Sequence, residues 1–280
     1  GKRKGGRANC RGNNYGNNFF HSNILYAGRL VFFPVSAINF APFLLNVPGD
    51  AYSQKNFCCS RIYGMKVCVA AGGANRLPGC ELALFGFDFL GEVDYENELA
   101  GKTDKFEEAA RLSRTYSCGV VCGCKTVSRG VVRKSAAVAD RGKLLGITDM
   151  NHVFGGEEYK SGAYLGLYQV GGYRVGLVID NDLYFPDGVR ALASCGCSLI
   201  AAVLEDMCGV MPPLLARAYA YLYGVPIVMC AGNIAFFADT SGGVASSNQA
   251  VTLFETDLKN NYRLVSSRIR GLDDDGRDDY

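Results

Sequence analysis

The sequence holds no tryptophan, only two histidines (His21 and His152), and no cysteine pair in a Cys-x-x-Cys spacing. A zinc centre wants such a pair or neighbouring histidines, so these shortages argue against a metal site. No apolar run approaches the roughly 20 residues needed to cross a bilayer. The basic N-terminus passes directly into a polar Gly/Asn-rich stretch, 12–18, without the apolar centre of a secretory signal, which favours the cytoplasm. No internal repeat or low-complexity linker interrupts the chain, so one domain is the economical expectation. A formal net charge of +2 makes no general case for nucleic acid or membrane as a partner.

What is present is enough for a large core. The 280 residues are 49% hydrophobic and 20% charged, the balance of an ordinary globular α/β domain. Charge is crowded at the ends: Lys2, Arg3, Lys4, Arg7 and Arg11 at one, Asp273, Asp274, Asp275, Asp278 and Asp279 at the other. Both read as solvated tails, giving a basic tail at 1–20, a domain at 21–271 and an acidic tail at 272–280. Twelve cysteines are many, but Cys68, Cys122, Cys195, Cys208 and Cys230 sit in or beside apolar segments, where a free thiol behaves as a small hydrophobe. Cys118, Cys122 and Cys124 crowd a strand-like run in which Cys122 and Cys124 share a face. Reduced structural cysteines are the expectation.

Short apolar, β-branched runs alternate with helical patterns, the signature of a layered α/β domain. Strands are predicted at 29–35, 66–70, 81–85, 119–124, 134–139, 174–179, 199–204, 227–231 and 250–255, and helices at 105–116, 189–194 and 213–223. Residues 139–146 read as strand, tight turn and strand, with Arg141-Gly142 at the tip.

Three segments resemble the carbon–nitrogen hydrolase (nitrilase/amidase) superfamily. In GYRVGLVIDNDLYFPDGVRALASCGCSLI, residues 172–200, Gly176, Asp182, Phe185, Pro186, Arg190 and Gly196 match that family's strand, elbow and helix. The family's nucleophilic cysteine falls on Asp180. In SAAVADRGKLLGITDMNHV, 135–153, Asp140, Gly142, Gly146 and His152 match, while the catalytic lysine falls on Met150. Lys134 precedes the first strand of this hairpin and so is out of register to replace it. In CELALFGFDFLGE, 80–92, Phe85, Leu90 and Gly91 match, and the general-base glutamate falls on Phe87, with Asp88 one residue away. Arg217, Ala218 and Asn233 add softer support. The resemblance covers roughly residues 82–270; Phe33-Pro34-Val35 mimics the glutamate motif but lies too far from the rest, and Val35 is no acid either.

The resemblance implies a four-layer αββα sandwich and a reaction in which a thiolate attacks an amide or nitrile carbon, a glutamate takes the proton and a lysine steadies the anion. Asp180, Met150 and Phe87 supply none of these functions, so no catalytic residues are expected, and neither a cofactor nor a metal. Asp180 is expected to cap the helix that follows, or to make another local hydrogen bond at the elbow. Glu157, Asp180, Asn181, Asp182 and His152 are candidate pocket residues; Glu157 matches an accessory glutamate that orients substrate. Cys195 and Cys197 lie a turn or more from the elbow. The function implied is a non-catalytic binding or assembly protein, with a possible small-molecule ligand. The alternative is a diverged hydrolase of non-peptide C–N bonds using Asp180 and Glu157. The resemblance also implies a homodimer or larger homo-oligomer through the helices at 189–194 and 213–223, with Tyr219, Tyr221 and Tyr223 at the contact; nucleic acid and membrane are not expected as partners.

Overall fold

The computed structural model of the protein describes residues 64–71, 76–156, 158–207 and 209–256, all within one compact unit, Asn56–Tyr280. The strand expected at 29–35, the domain limits at 21 and 271, both tails, Cys208 and Glu157 lie outside the described residues. The chain forms β1 (Met65–Ala70), β2 (Leu82–Phe85), β3 (Glu92–Asp94), α1 (Tyr95–Leu99), α2 (Lys105–Tyr116), β4 (Gly119–Ser128), β5 (Val131–Asp140) and β6 (Lys143–Asp149). There follow β7 (Leu167–Val170), β8 (Tyr173–Ile179), a 3-10 turn over Asp180–Tyr184, α3 (Pro186–Ser194), β9 (Leu199–Leu204) and α4 (Met211–Tyr223). The last strands are β10 (Ile227–Ala231), β11 (Ile234–Ala238), β12 (Val244–Ser247) and β13 (Thr252–Thr256).

Two sheets result. One runs β13-β1-β2-β4-β5-β6 with β3 beside the far part of β4; the other runs β12-β11-β10-β9-β8-β7. In each, three central strands are parallel (β1, β2, β4 and β8, β9, β10) and the flanking pairs are antiparallel. Every residue of β2, β9 and β10 is buried, which is why these strands read as unbroken apolar runs. Helix limits follow local chemistry too. Helix α3 begins at Pro186 rather than at the expected 189, because the fixed φ of proline suits a first helical position. Helix α4 carries proline in its first turn and ends at Gly224 with a φ of 64°. The tip between β5 and β6 has φ of 49° at Arg141 and 80° at Gly142, the two left-handed residues of a tight hairpin turn.

Burial divides the apolar side chains into three layers. Met65, Val67, Leu84, Val138, Val175, Leu177 and Val203 pack between the sheets. Leu192, Ile200, Ala216, Ala220 and Met229 pack between the second sheet and α3 and α4. Cys68, Phe85, Ala109, Ala110, Cys122 and Ala137 pack between the first sheet and α2. Helix, sheet, sheet and helix thus form the expected αββα sandwich. No helix among the described residues is long and apolar enough to cross a membrane.

Candidate functional site

In α/β folds the carboxyl ends of parallel strands are where functional side chains collect. At the end of β8 the chain turns at once, and Asp180 adopts a φ of 45°. Left-handed backbone is uncommon for a residue with a Cβ, although Asp accepts it better than most. The side chain of Asp180 crosses to the first sheet, where Lys134 Nζ hydrogen-bonds its Oδ2; Glu205 N donates to Oδ1 at 3.3 Å. Glu205 itself follows β9, and its Oε2 stands 2.8 Å from Lys134 Nζ. Its Oε1 is 3.9 Å from Lys125 Nζ, which also lies 3.7 Å from Asp88 Oδ1. Asp88, Lys125, Glu205, Lys134 and Asp180 therefore form a chain of alternating charge that links the two sheets.

Lys125 and Lys134 are direct partners across β4 and β5, an arrangement in which like charges would repel. Glu205 reaches both and removes that conflict. The Lys134 side chain is only 7% exposed. Burial pulls its ammonium down, but hydrogen bonds and charge from Asp180 and Glu205 outweigh this and hold it above the ordinary lysine range. Aromatic rings close the sides: Lys134 Nζ lies 4.9 Å from the Tyr159 ring centre and 5.6 Å from that of Phe87.

Phe87 is placed by a close approach of two backbones. A Cβ at Gly123 would meet Phe87 Cα at 2.4 Å and Phe87 O at 2.6 Å, so only glycine lets the 86–87 loop lie on β4. Beside this loop is a cleft of about 330 Å³ lined by Ala71, Gly86, Phe87, Asp88, Glu205 and Gly232, among others. A methyl group at Gly86 would stand 3.9 Å from Cys230 Sγ. Burial pushes the Cys230 thiol up to about 12, so this sulfur is no ready nucleophile.

The three positions on which the sequence resemblance places the triad gather around Lys134. Phe87 faces its ammonium, Asp180 pairs with it, and Met150, fully buried, donates its N–H to Lys134 O at 2.8 Å. Two expectations are corrected here. Lys134 does not precede the hairpin: β5 begins at Val131, and a bulge between Val138 and Ala139 sets Ser135 against Asp149, so Lys134 lies beside Met150 on the inner face. Asp180 caps no helix, because α3 starts after Phe185, with no side-chain cap, and Lys134 has drawn the carboxylate away.

Asp182 and His152 come together, but beside the charge chain rather than in the cleft. Asp182 accepts N–H groups from Asn151 at 3.0 Å and His152 at 2.8 Å, and meets His152 Nδ1 at 2.8 Å. The imidazole stacks on Phe185 with ring centres 3.9 Å apart. Burial raises the Asp182 pKa, partly countered by those hydrogen bonds. The pair latches the 151–152 loop to the elbow, and Asn181 is buried in the same turn. Cys195 is exposed and Cys197 lies in the outer layer against α3 and α4. Lys125, Tyr159 and Glu205 were not singled out by sequence; for Glu205 a signal existed, an acid directly after a wholly apolar parallel strand.

The layered sheets and the turn after β8 define the fold of the carbon–nitrogen hydrolases of the nitrilase type. Among solved structures, the chain is similar to a carbon–nitrogen hydrolase from Helicobacter pylori G27 at 13% identity and a TM-score of 0.60, covering 78% of this chain and 98% of that one. Nit3 of Saccharomyces cerevisiae, of branch 10 of the nitrilase superfamily, matches at 14% identity and a TM-score of 0.60, over 72% of this chain and 92% of its own. An amidase variant from Nesterenkonia sp. AN1, with the acetamide moiety of fluoroacetamide added covalently at its active-site cysteine, matches at 17% identity and a TM-score of 0.57, over 74% and 95%. No protein-family model matches the sequence, and no curated protein does.

Proposed function

We propose that this protein uses the carbon–nitrogen hydrolase fold for binding or assembly and does not catalyse the hydrolysis. The observation that carries this reading is the ion pair of Lys134 with Asp180 at the elbow. A thiol-based hydrolase needs a free nucleophile there and an ammonium with a hydrogen bond to spare for the developing anion. Here the carboxylate is engaged by Lys134 and the Glu205 N–H, and the ammonium is shared between two carboxylates. At the base position Phe87 offers no proton acceptor. The cleft beside it has room for a small molecule.

A second reading has one observation in its favour: Lys134 supplies an ammonium beside Asp180, so a diverged hydrolase of non-peptide C–N bonds would retain one charged element, with Asp180 and Glu157 as its acid and base. A screen of amides, including butyramide and fluoroacetamide, with nitriles and N-carbamoyl compounds separates the two. The non-catalytic reading expects no turnover above background. Turnover that vanishes in Asp180→Ala would establish the second reading.

For assembly, the outer surface of α4 offers exposed Val210, Met211, Leu214 and Leu222, an apolar face suited to a second copy of the chain. Tyr221 is exposed on it, whereas Tyr219 is buried against Tyr223 and its neighbours and is withdrawn from the contact proposed for it. Sedimentation at micromolar concentration should show a dimer or larger species; a monomer would remove this part. Cell fractionation tests the cytoplasmic setting, which rests on the sequence.

A further inference from the structure

On the outer face of the first sheet, far along the chain from the elbow, three thiols meet. Cys80 precedes β2 and packs against the buried cluster that holds Cys68 of β1 and Cys118 at the start of β4. Backbone bonds fix the meeting: Glu81 N donates to Lys66 O at 2.9 Å and Gly119 N to Glu81 O at 3.0 Å. Cys68 and Cys118 are buried while Cys80 is partly exposed, so only Cys80 of the three is open to a reagent. Among the described residues no group of His, Cys, Asp and Glu has the arrangement of a metal site.

We propose that Cys80 and Cys118 form a reversible dithiol–disulfide pair, with Cys80 the attacking sulfur, Cys118 the resolving one and Cys68 a hydrogen-bond donor to Cys80. This inference is independent of the function proposed for the elbow. Its partial exposure makes Cys80 the attacker, and hydrogen bonds from Cys118 and then Cys68 pull its pKa below the ordinary thiol range against the effect of burial. The corresponding pull in the opposite direction, together with burial, pushes Cys68 and Cys118 up.

The choice of Cys118 follows from where the backbone can give. Closing a bond of about 2.05 Å draws two sulfurs together from hydrogen-bond distance, which requires a backbone shift. Cys68 lies within β1, held by Ala83 of β2 on one side and Leu253 of β13 on the other. Cys80 and Cys118 stand at strand starts, and Cys118 follows Ser117, a left-handed residue with a φ of 53° at the end of α2. The reaction needs a small-molecule disulfide as oxidant. Cys80 thiolate attacks one of its sulfurs and expels a thiolate, leaving a mixed disulfide on Cys80. Cys118 then gives up its proton and attacks Cys80 Sγ, expelling the second thiolate. The protein loses two electrons and two protons, and the reagent becomes two thiols.

The test uses the full chain with 2-hydroxyethyl disulfide, followed by alkylation and peptide mass mapping. A Cys80–Cys118 linkage is expected, reversed by 2-mercaptoethanol, absent from Cys80→Ser and kept in Cys68→Ser. Unmodified Cys80, a lasting mixed disulfide on it, or linkage to Cys68 in the unsubstituted protein would overturn the proposal. Alkylation rates give a readout that needs no variant. Between about pH 8 and pH 6 an ordinary thiol such as N-acetylcysteine slows about 80-fold. Cys80 should slow less than about 3-fold over the same range; a drop like that of the reference thiol would exclude it as the attacking sulfur.

Discussion

The two sheets repeat one plan and divide its tasks differently. Each has three parallel strands at the centre, one antiparallel strand on one side and two on the other. The second sheet is joined by α3 and α4, and its outer layer is built from larger side chains such as Leu192, Ile200 and Met229. In the first, β1 ends at Ala70 and β2 starts at Leu82, and the described residues between them, 71 and 76–81, hold no helix. Its outer layer is instead rich in alanine and cysteine. At the inner face the division is one of charge: the first sheet sends Lys125 and Lys134, the second sends Asp180 and Glu205. Matching scaffolds therefore serve as two halves of an electrostatic clasp.

The clasp is strongest where it is driest, and substitutions should rank accordingly. Lys134→Met leaves two carboxylates facing an apolar side chain, and urea unfolding should report a loss of about 3–5 kcal/mol. A loss under about 1 kcal/mol would mean that the sheets are held by packing alone. Next comes Asp180→Ala, which removes a charged hydrogen bond and should cost about 2 kcal/mol, leaving Glu205 with Lys134. Because Asp180 has a φ of 45°, Asp180→Gly should be the milder change by about 1 kcal/mol, and thermal melts of the two variants decide this. Lys125→Met removes a better-hydrated member of the same chain, with a cost below about 1 kcal/mol that shrinks further in salt.

The smallest effect concerns pH, and it lies at the latch between the elbow after β8 and the 151–152 loop after β6. Asp182 has a folded pKa raised chiefly by burial, so the folded state binds its proton more tightly than the unfolded chain does. Its contribution to stability is full below the unfolded value of about 3.9 and is lost as pH rises through the raised folded value. The stability advantage of the unsubstituted protein over Asp182→Asn, from urea midpoints, should therefore decline with rising pH across that window. An advantage that grows with pH would show that the bonds from Asn151 and His152 outweigh burial.

Much of this was legible in the sequence, and for identifiable reasons. Strands 199–204 and 227–231 and the helix at 105–116 were found to the residue, because buried parallel strands and amphipathic helices leave unbroken periodic patterns. Short or partly exposed elements were missed: α1, β3, β7 and β12 have too few buried residues for a period to emerge, and β11 was missed although it is as long as β10. At the site, local motifs led to Phe87, Met150 and Asp180, and these three residues lie around Lys134. The partner of Asp180 was not readable in this way, because Lys134 owes its place to pairing across strands and to a bulge, neither of which is written in local spacing. The same holds for Glu205, whose bond to Lys134 joins residues from different sheets. The exposed alternative, Asp88, was near the right place but serves Lys125.

The bulge between Val138 and Ala139 works like a single tooth of a ratchet. It spends one extra residue of β6 so that Asp149 faces outward, where Ser135 Oγ donates to it at 2.6 Å, and Met150 faces inward beside Lys134. Pairing Leu145, the extra residue of the bulge, with Val138 would instead shift the rest of β6 by one position. Asp149 would then turn inward beside Lys134 and compete with Asp180 for its ammonium. One pair regained at the sheet's edge would thereby reassign the counterion at its centre, without altering any of the residues that meet there.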